Sequence, residues 1–190
     1  MSRPLRVDVG ECFYNILNRA NNKARIFNTD IEYENFEYLL AELRHKFKVR
    51  IYAYAIMPNH WHLLLHPRND GDLAKIMHWL GTVHSGQYRR ANDTVGHGHL
   101  YQDRYKSSLI QGERHFLTVL KYIERNPVRA ELCTLPQEWK WGSAFCRLVD
   151  PRKANLLLDP LPIDLPKNYA AWIATPESAE TLKAIRDSVQ

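Results

Sequence analysis

Between Val49 and His66, two strand-like runs, VRIYAYAIM and HWHLLLH, are separated by only Pro58 and Asn59. A connection that short folds the runs together as an antiparallel hairpin, because a parallel crossover needs many more residues. Side chains alternate across a strand, so Trp61, Leu63 and Leu65 face one way while His60 and His62 face the other. One face packs and the other presents two imidazoles. Neutral imidazoles at i and i+2 can ligate one divalent ion, but two of them hold a hard cation weakly, so a third ligand has to come from elsewhere. Spacing alone is equally compatible with half-exposed surface histidines. His66 shares their parity but abuts Pro67 at the strand end, and is read as structural.

The segments around the hairpin are legible by the same rules. CFYNIL (Cys12–Leu17) is β-rich and runs into NRANNKARIF, whose asparagines and basic residues mark a loop. Asp30 is a plausible N-cap for IEYENFEYLLAELRHKF, where Tyr33, Phe36, Leu43 and Phe47 recur at helical spacing. Leu73, Ile76, Met77, Leu80 and Val83 predict a second helix, which TVGHGHL breaks. YQDRYKSSLI (101–110) reads as a fourth strand, and GERHFLTVLKYIERN as a third helix stopped by Pro127. The order β α β β α β, with one more helix after it, predicts an α+β chain of ferredoxin-like type. In that pattern two helices cover one face of a four-stranded antiparallel sheet and the other face stays open for binding. Residues 1–150 are expected to form this domain, and the proline-rich 151–190 a tail with a short helix. RNA-recognition modules share the order, so the fold alone selects no function.

A second group of chemistry-bearing residues lies in LKYIERNPVRA, Leu120–Ala130. Tyr122 falls beside the packing stripe of the third helix, on a face with His115 and Asn126. A phenol attacks phosphorus at neutral pH only if the phosphate is polarised and the departing charge neutralised, which a divalent ion on His60 and His62 would do. Asn126, one turn beyond Tyr122, offers a carbonyl oxygen as the missing ligand, although the following proline biases it away from helical geometry. The plainer alternatives are a tyrosine that anchors a helix and an asparagine that caps it. Arg89, Arg90, Arg104, Lys106, Lys121, Arg125 and Arg129 are interleaved with Tyr88, Tyr101 and Tyr105, a mixture suited to the backbone and unpaired bases of single-stranded nucleic acid. The formal charge of +5 and a pI near 9.1 agree with an anionic partner. The three cysteines, Cys12, Cys133 and Cys146, are too far apart for a C-x-x-C pair and are expected to be reduced thiols. MSRPLRVDVG has no apolar h-region, and no apolar run nears the ~20 residues of a membrane span, so a soluble, non-exported protein is expected.

AYAIMPNHWHLLL, GHLYQDRYKSSLI and LKYIERNPVRAELC, in this order, resemble the IS200-type single-tyrosine transposases, and especially the REP-associated tyrosine transposases. The resemblance runs from FYNILNRANNKARIF to the final helix. It implies an HUH endonuclease in which His60 and His62 bind the metal around the intervening Trp61, Asn126 completes the site and Tyr122 is the nucleophile. Such enzymes nick single-stranded DNA beside a hairpin, here a REP- or BIME-like one, and keep a 5′-phosphotyrosine while releasing a 3′-hydroxyl. Mg²⁺ or Mn²⁺ is the implied cofactor. Arg89, Arg90, Arg104, Tyr105, Lys106, Arg125 and Arg129 are the residues expected to contact DNA. A monomer or homodimer in a bacterial cytoplasm, associated with the nucleoid, is expected, with no membrane partner. Asp103 and Ala20 stand where relatives usually have glycine, which affects the DNA-binding loops more than the chemistry. Longer relatives continue into a basic extension, so some DNA affinity is expected to lie outside these residues. Two other readings predict different products: an RNA-recognition-type binding module that needs neither histidine, and a small two-histidine hydrolase that leaves no protein-linked product.

Overall fold

The structure, a computed structural model, describes residues 7–94, 96 and 98–189. Strand β1 (Phe13–Arg19) leads through a short 3-10 turn to helix α1 (Asp30–Phe47), then to β2 (Arg50–Met57), β3 (His60–His66) and α2 (Asp72–Ala91). Strand β4 (Lys106–Ile110) and α3 (Gly112–Glu124) complete the expected order. The four strands form one antiparallel sheet in the order β2-β3-β1-β4. Five shorter helices follow: α4 (Asn126–Arg129), α5 (Ser143–Leu148), α6 (Pro151–Leu157), α7 (Tyr169–Ala174) and α8 (Ala179–Ser188). Among the described residues no helix is long and apolar enough to cross a membrane.

The alternation of β3 divides the molecule. Trp61, Leu63 and Leu65 join Tyr14, Ile16, Tyr54 and Ile56 in a core closed by Phe36, Leu39, Leu40 and Leu43 of α1 and by Leu73, Ile76 and Leu80 of α2. A bulge between Ile51 and Ala53 puts Tyr52 and Ala53 on the opposite face together. That opposite face is not open. Phe116, Val119, Leu120 and Ile123 of α3 pack on Leu64, Ala55, Met57 and Ile110, and Ile185 of α8 joins them. Fully burying each such aliphatic or aromatic side chain is worth about 1.5–3 kcal/mol, which makes α3 a structural layer. Only one end of this face remains for a ligand, so the platform a stacking RNA-recognition module would use is occupied.

Three local expectations change in the structure. Thr29, not Asp30, caps α1, and the Glu32 carboxylate accepts the Thr29 N–H at 2.9 Å. The fourth strand starts at Lys106 rather than Tyr101, because Tyr101 makes a single bridge to Ala20 and then turns its phenol into the first core. Asn126 stays helical and opens α4, with Pro127 in the first turn, where its missing N–H leaves no helix bond unmade. The three cysteines are unpaired, as expected.

Candidate active site

Sheet register builds the floor of the site. β1 sets Leu17 opposite His62 and Arg19 opposite His60, and β4 sets Lys106 opposite Leu17. These five side chains share the face that α3 covers, at the end α3 leaves open. The last turn of α3 then places Tyr122 against the strand: its ring meets that of His62 edge to face, with centroids 5.7 Å apart. The rings of His60 and His62 are themselves 5.2 Å apart. Asn126, on the turn that follows, lines the cleft beside His60. Residues 60, 62, 122 and 126, distant in sequence, therefore line one cleft of about 590 Å³.

Two buried ion-pair systems hold the tyrosine helix. Glu124, fully enclosed, accepts from Ser143 Oγ at 2.7 Å and Arg147 Nη1 at 2.6 Å, and also from the Tyr169 hydroxyl. Glu177, between α7 and α8, takes Arg125 Nε at 2.7 Å on one oxygen and Arg129 Nη1 at 2.8 Å on the other. Charges this far from water need such partners on every side. The tyrosine is thereby positioned within its own chain.

Burial, reinforced by the Arg19 charge, pushes the His60 imidazole down to about 4 although Asn126 opposes the shift. His62 is pushed well below its ordinary value by burial, then by His60, Arg129 and Arg19. Both rings are neutral near pH 7 and keep a lone pair for a ligand. Among the described residues no cluster of three or more His, Cys, Asp or Glu side chains could hold a metal, so a cation here would take Asn126 as its third protein donor. Two imidazole nitrogens and an amide carbonyl oxygen fit a divalent cation, the nitrogens favouring softer ions and the oxygen harder ones. His62 Nδ1 supports the fit, being buried without a hydrogen-bond partner. Arg19, Arg104, Lys106, Arg129 and Arg186 ring the cleft, with Asp103 as the acidic member of its lining. That balance favours a polyanion.

A model of the family described as "Transposase IS200 like" matches residues 8–126, well over half the chain and a span that includes both histidines, Tyr122 and Asn126. This chain belongs to the IS200-like transposase family. Among solved structures it is similar to a REP-associated tyrosine transposase bound to a REP hairpin, at 17% identity and a TM-score of 0.65, covering 87% of this chain and 95% of that one. That likeness shows a shared fold. A second structure, from Deinococcus radiodurans R1 and assigned as a transposase, is 16% identical with a TM-score of 0.46, covering 65% of this chain and 97% of that one. No curated protein sequence matches the chain.

In this transposase the expected DNA-contacting residues separate into two groups. Arg104, Lys106 and Arg129 line the cleft. Arg89 instead donates to the carbonyls of Thr94 and Gly98, and Arg90 is exposed on the last turn of α2, outside the cleft lining. Tyr105 belongs to the first core, and Arg125 is 5% exposed and committed to Glu177 and to the carbonyls of Ile173 and Ala174. Neither is presented to a ligand. His66 packs on Phe13 beside Arg50 and Glu11, in the structural role read for it. His115 does not join Tyr122: its Nδ1 accepts the Gln111 N–H at the start of α3. The transposase cleft also holds residues that periodicity did not single out, Arg19, Gln102, Arg186 and Val189. Arg19 follows an apolar strand run and had a basic-loop signal, whereas nothing local to α8 marks Arg186 as part of a site.

Proposed function

We propose that this transposase nicks and rejoins single-stranded DNA beside a REP-like hairpin, through a 5′-phosphotyrosine on Tyr122 and with a divalent cation. The observation that carries the proposal is the meeting of Tyr122 with His62 in a basic cleft closed by His60 and Asn126. His60, His62 and Asn126 would hold Mg²⁺ or Mn²⁺, which when bound polarises the scissile phosphate and offsets the charge of the leaving oxygen. Arg19, Arg104 and Lys106 bind the flanking backbone and fix its register. Tyr122 Oη attacks phosphorus from the α3 side. The Oη–P bond forms as the P–O3′ bond breaks, the phenol proton passes to water, and the 3′ oxygen takes up a proton. The phosphodiester energy is kept in the tyrosyl link, so a 3′-hydroxyl from another strand reverses the step without ATP. Because α3 lies on its own sheet, one chain holds the nucleophile and the imidazole pair, and a monomer suffices.

The test incubates the protein with Mn²⁺ or Mg²⁺ and single-stranded REP-like hairpin DNA, then resolves products on a denaturing gel. Wild type should form a protein–DNA adduct that maps to Tyr122 by mass spectrometry. Tyr122→Phe should bind the hairpin and form none. An adduct that survives in that variant refutes the assignment of the nucleophile, and chelator-resistant cleavage by wild type refutes the metal.

A further inference from the structure

Asn59, the second residue of the hairpin turn, is held on three sides. Its backbone carbonyl accepts the Ala20 N–H at 2.8 Å, and its side-chain Nδ2 donates to the Lys23 carbonyl at 3.2 Å. The third contact joins its Oδ1 to His60 Nδ1 at 2.6 Å. The chemistry of these partners fixes every role. A backbone carbonyl only accepts, so the amide nitrogen must lie toward Lys23, which turns the amide oxygen toward His60. An amide oxygen also only accepts, so the imidazole proton must reside on Nδ1. In the neutral ring the lone pair is then confined to Nε2.

We infer that Asn59 is a positioning residue, which locks His60 in its Nδ1–H tautomer so that the Nε2 lone pair is the one available to the cleft cation. The cation half rests on the function proposed above; the tautomer half rests on the hydrogen bonds alone. An unconstrained imidazole favours the opposite tautomer, with the proton on Nε2, which cannot ligate through that atom. His62 has no comparable side-chain contact to order it, its orphaned Nδ1 being the atom a cation would satisfy. Ordering of the pair thus falls to Asn59. Residues that accept the second ring N–H of a metal-ligating histidine typically contribute about 10–100-fold in metal affinity. Asn59 also ties the β1–α1 loop, at the Lys23 carbonyl, to the same ring.

The test uses the full chain and two readouts. Long-range ¹H–¹⁵N spectra report the tautomer of each imidazole, with the His60 signals assigned by their disappearance in His60→Gln. Calorimetric titration with Mn²⁺ in the absence of DNA reports affinity. Wild type should show His60 with its proton on Nδ1. Asn59→Leu should move the proton toward Nε2 and weaken Mn²⁺ binding about 10–100-fold. Asn59→Asp still accepts from Nδ1 but cannot donate to Lys23, so it should keep the tautomer and an affinity close to wild type. A wild-type His60 protonated on Nε2 overturns the inference, whether or not Asn59→Leu folds. Unchanged Mn²⁺ affinity in a folded Asn59→Leu overturns it while leaving the proposed function standing. A wild type in the Nδ1–H form that takes up no Mn²⁺ overturns the metal assignment and the cation half of the inference with it, and leaves Asn59 as an orienting residue only.

Discussion

The guanidinium of Arg129 lies over the ring of Tyr122, its central carbon 4.2 Å from the ring centroid, while its Nη1 is bound to Glu177. In the reaction proposed above, a cation over the phenol face would stabilise negative charge that gathers on the ring oxygen as the tyrosyl link breaks, and Arg129 reaches the cleft as well.

Arg129→Gln should therefore retain hairpin binding and lose about 100-fold in the rate of adduct formation and rejoining, the usual scale for removing one preorganised electrostatic group. The fold should hold, because Glu177 keeps Arg125. Single-turnover gels and a binding titration on the same variant separate the two effects; equal losses in both would make Arg129 a DNA anchor and nothing more.

His62→Leu should be at least as stable as wild type and inactive. The imidazole is buried with Nδ1 unpaired, and an unmade buried hydrogen bond costs about 1–3 kcal/mol, which an apolar side chain does not incur. Recovering about 1 kcal/mol would raise the melting temperature by roughly 2–4 °C in a chain of this size. A clear fall in melting temperature, measured by calorimetry without metal, would show that the ring is satisfied after all.

Glu124→Ala should be strongly destabilising, on the order of 3 kcal/mol, because it leaves Arg147 mostly buried without its carboxylate. Urea melts are the measure. Replacing both residues with leucine should recover much of the loss; a double variant as unstable as the single one would locate the cost in packing rather than charge.

Acid should unfold the protein through its buried histidines. His84, stacked on Phe27 and bonded through Nδ1 to the Tyr101 hydroxyl at 2.6 Å, is pushed by burial down to about 3. Its unfolded value near 6.5 is higher, so the unfolded chain binds the extra proton first. The contribution is complete above about pH 6.5 and declines as the pH falls toward 3, at up to about 1.4 kcal/mol per pH unit. His84→Gln should flatten the curve of melting temperature against pH over that window. An unchanged slope would mean that His84 gains no proton on unfolding.

Residues whose role is set by local pattern were readable before any coordinates. The hairpin, the inward Trp61 and the outward histidine pair follow from a two-residue connection and a period of two, and the position of Tyr122 at the edge of the packed helix face, though not its role, follows from its place beside an apolar helical stripe. What escaped was set by distant partners. Arg125 and Arg129 are four residues apart and alike in type, yet Glu177 buries the first and leaves the second over the tyrosine ring. No local rule separates them. Tyr105 reads like Tyr101 and Tyr88 in an aromatic and basic stretch, but the loop ahead of β4 turns it into the core. The expected open sheet face failed for a related reason: α3 was recognised as a helix, but amphipathicity does not say which surface a helix will cover.

The Glu177 carboxylate that holds Arg125 and Arg129 sits far in sequence from the histidine pair and Tyr122, on the connection between the last two helices. Hybrids that join the first 150 residues of this protein to the tail of a relative would lose the Glu177 link unless the donor supplies an acid at the same place. Inheritance of a working tyrosine thus extends to a segment whose own composition carries no trace of chemistry.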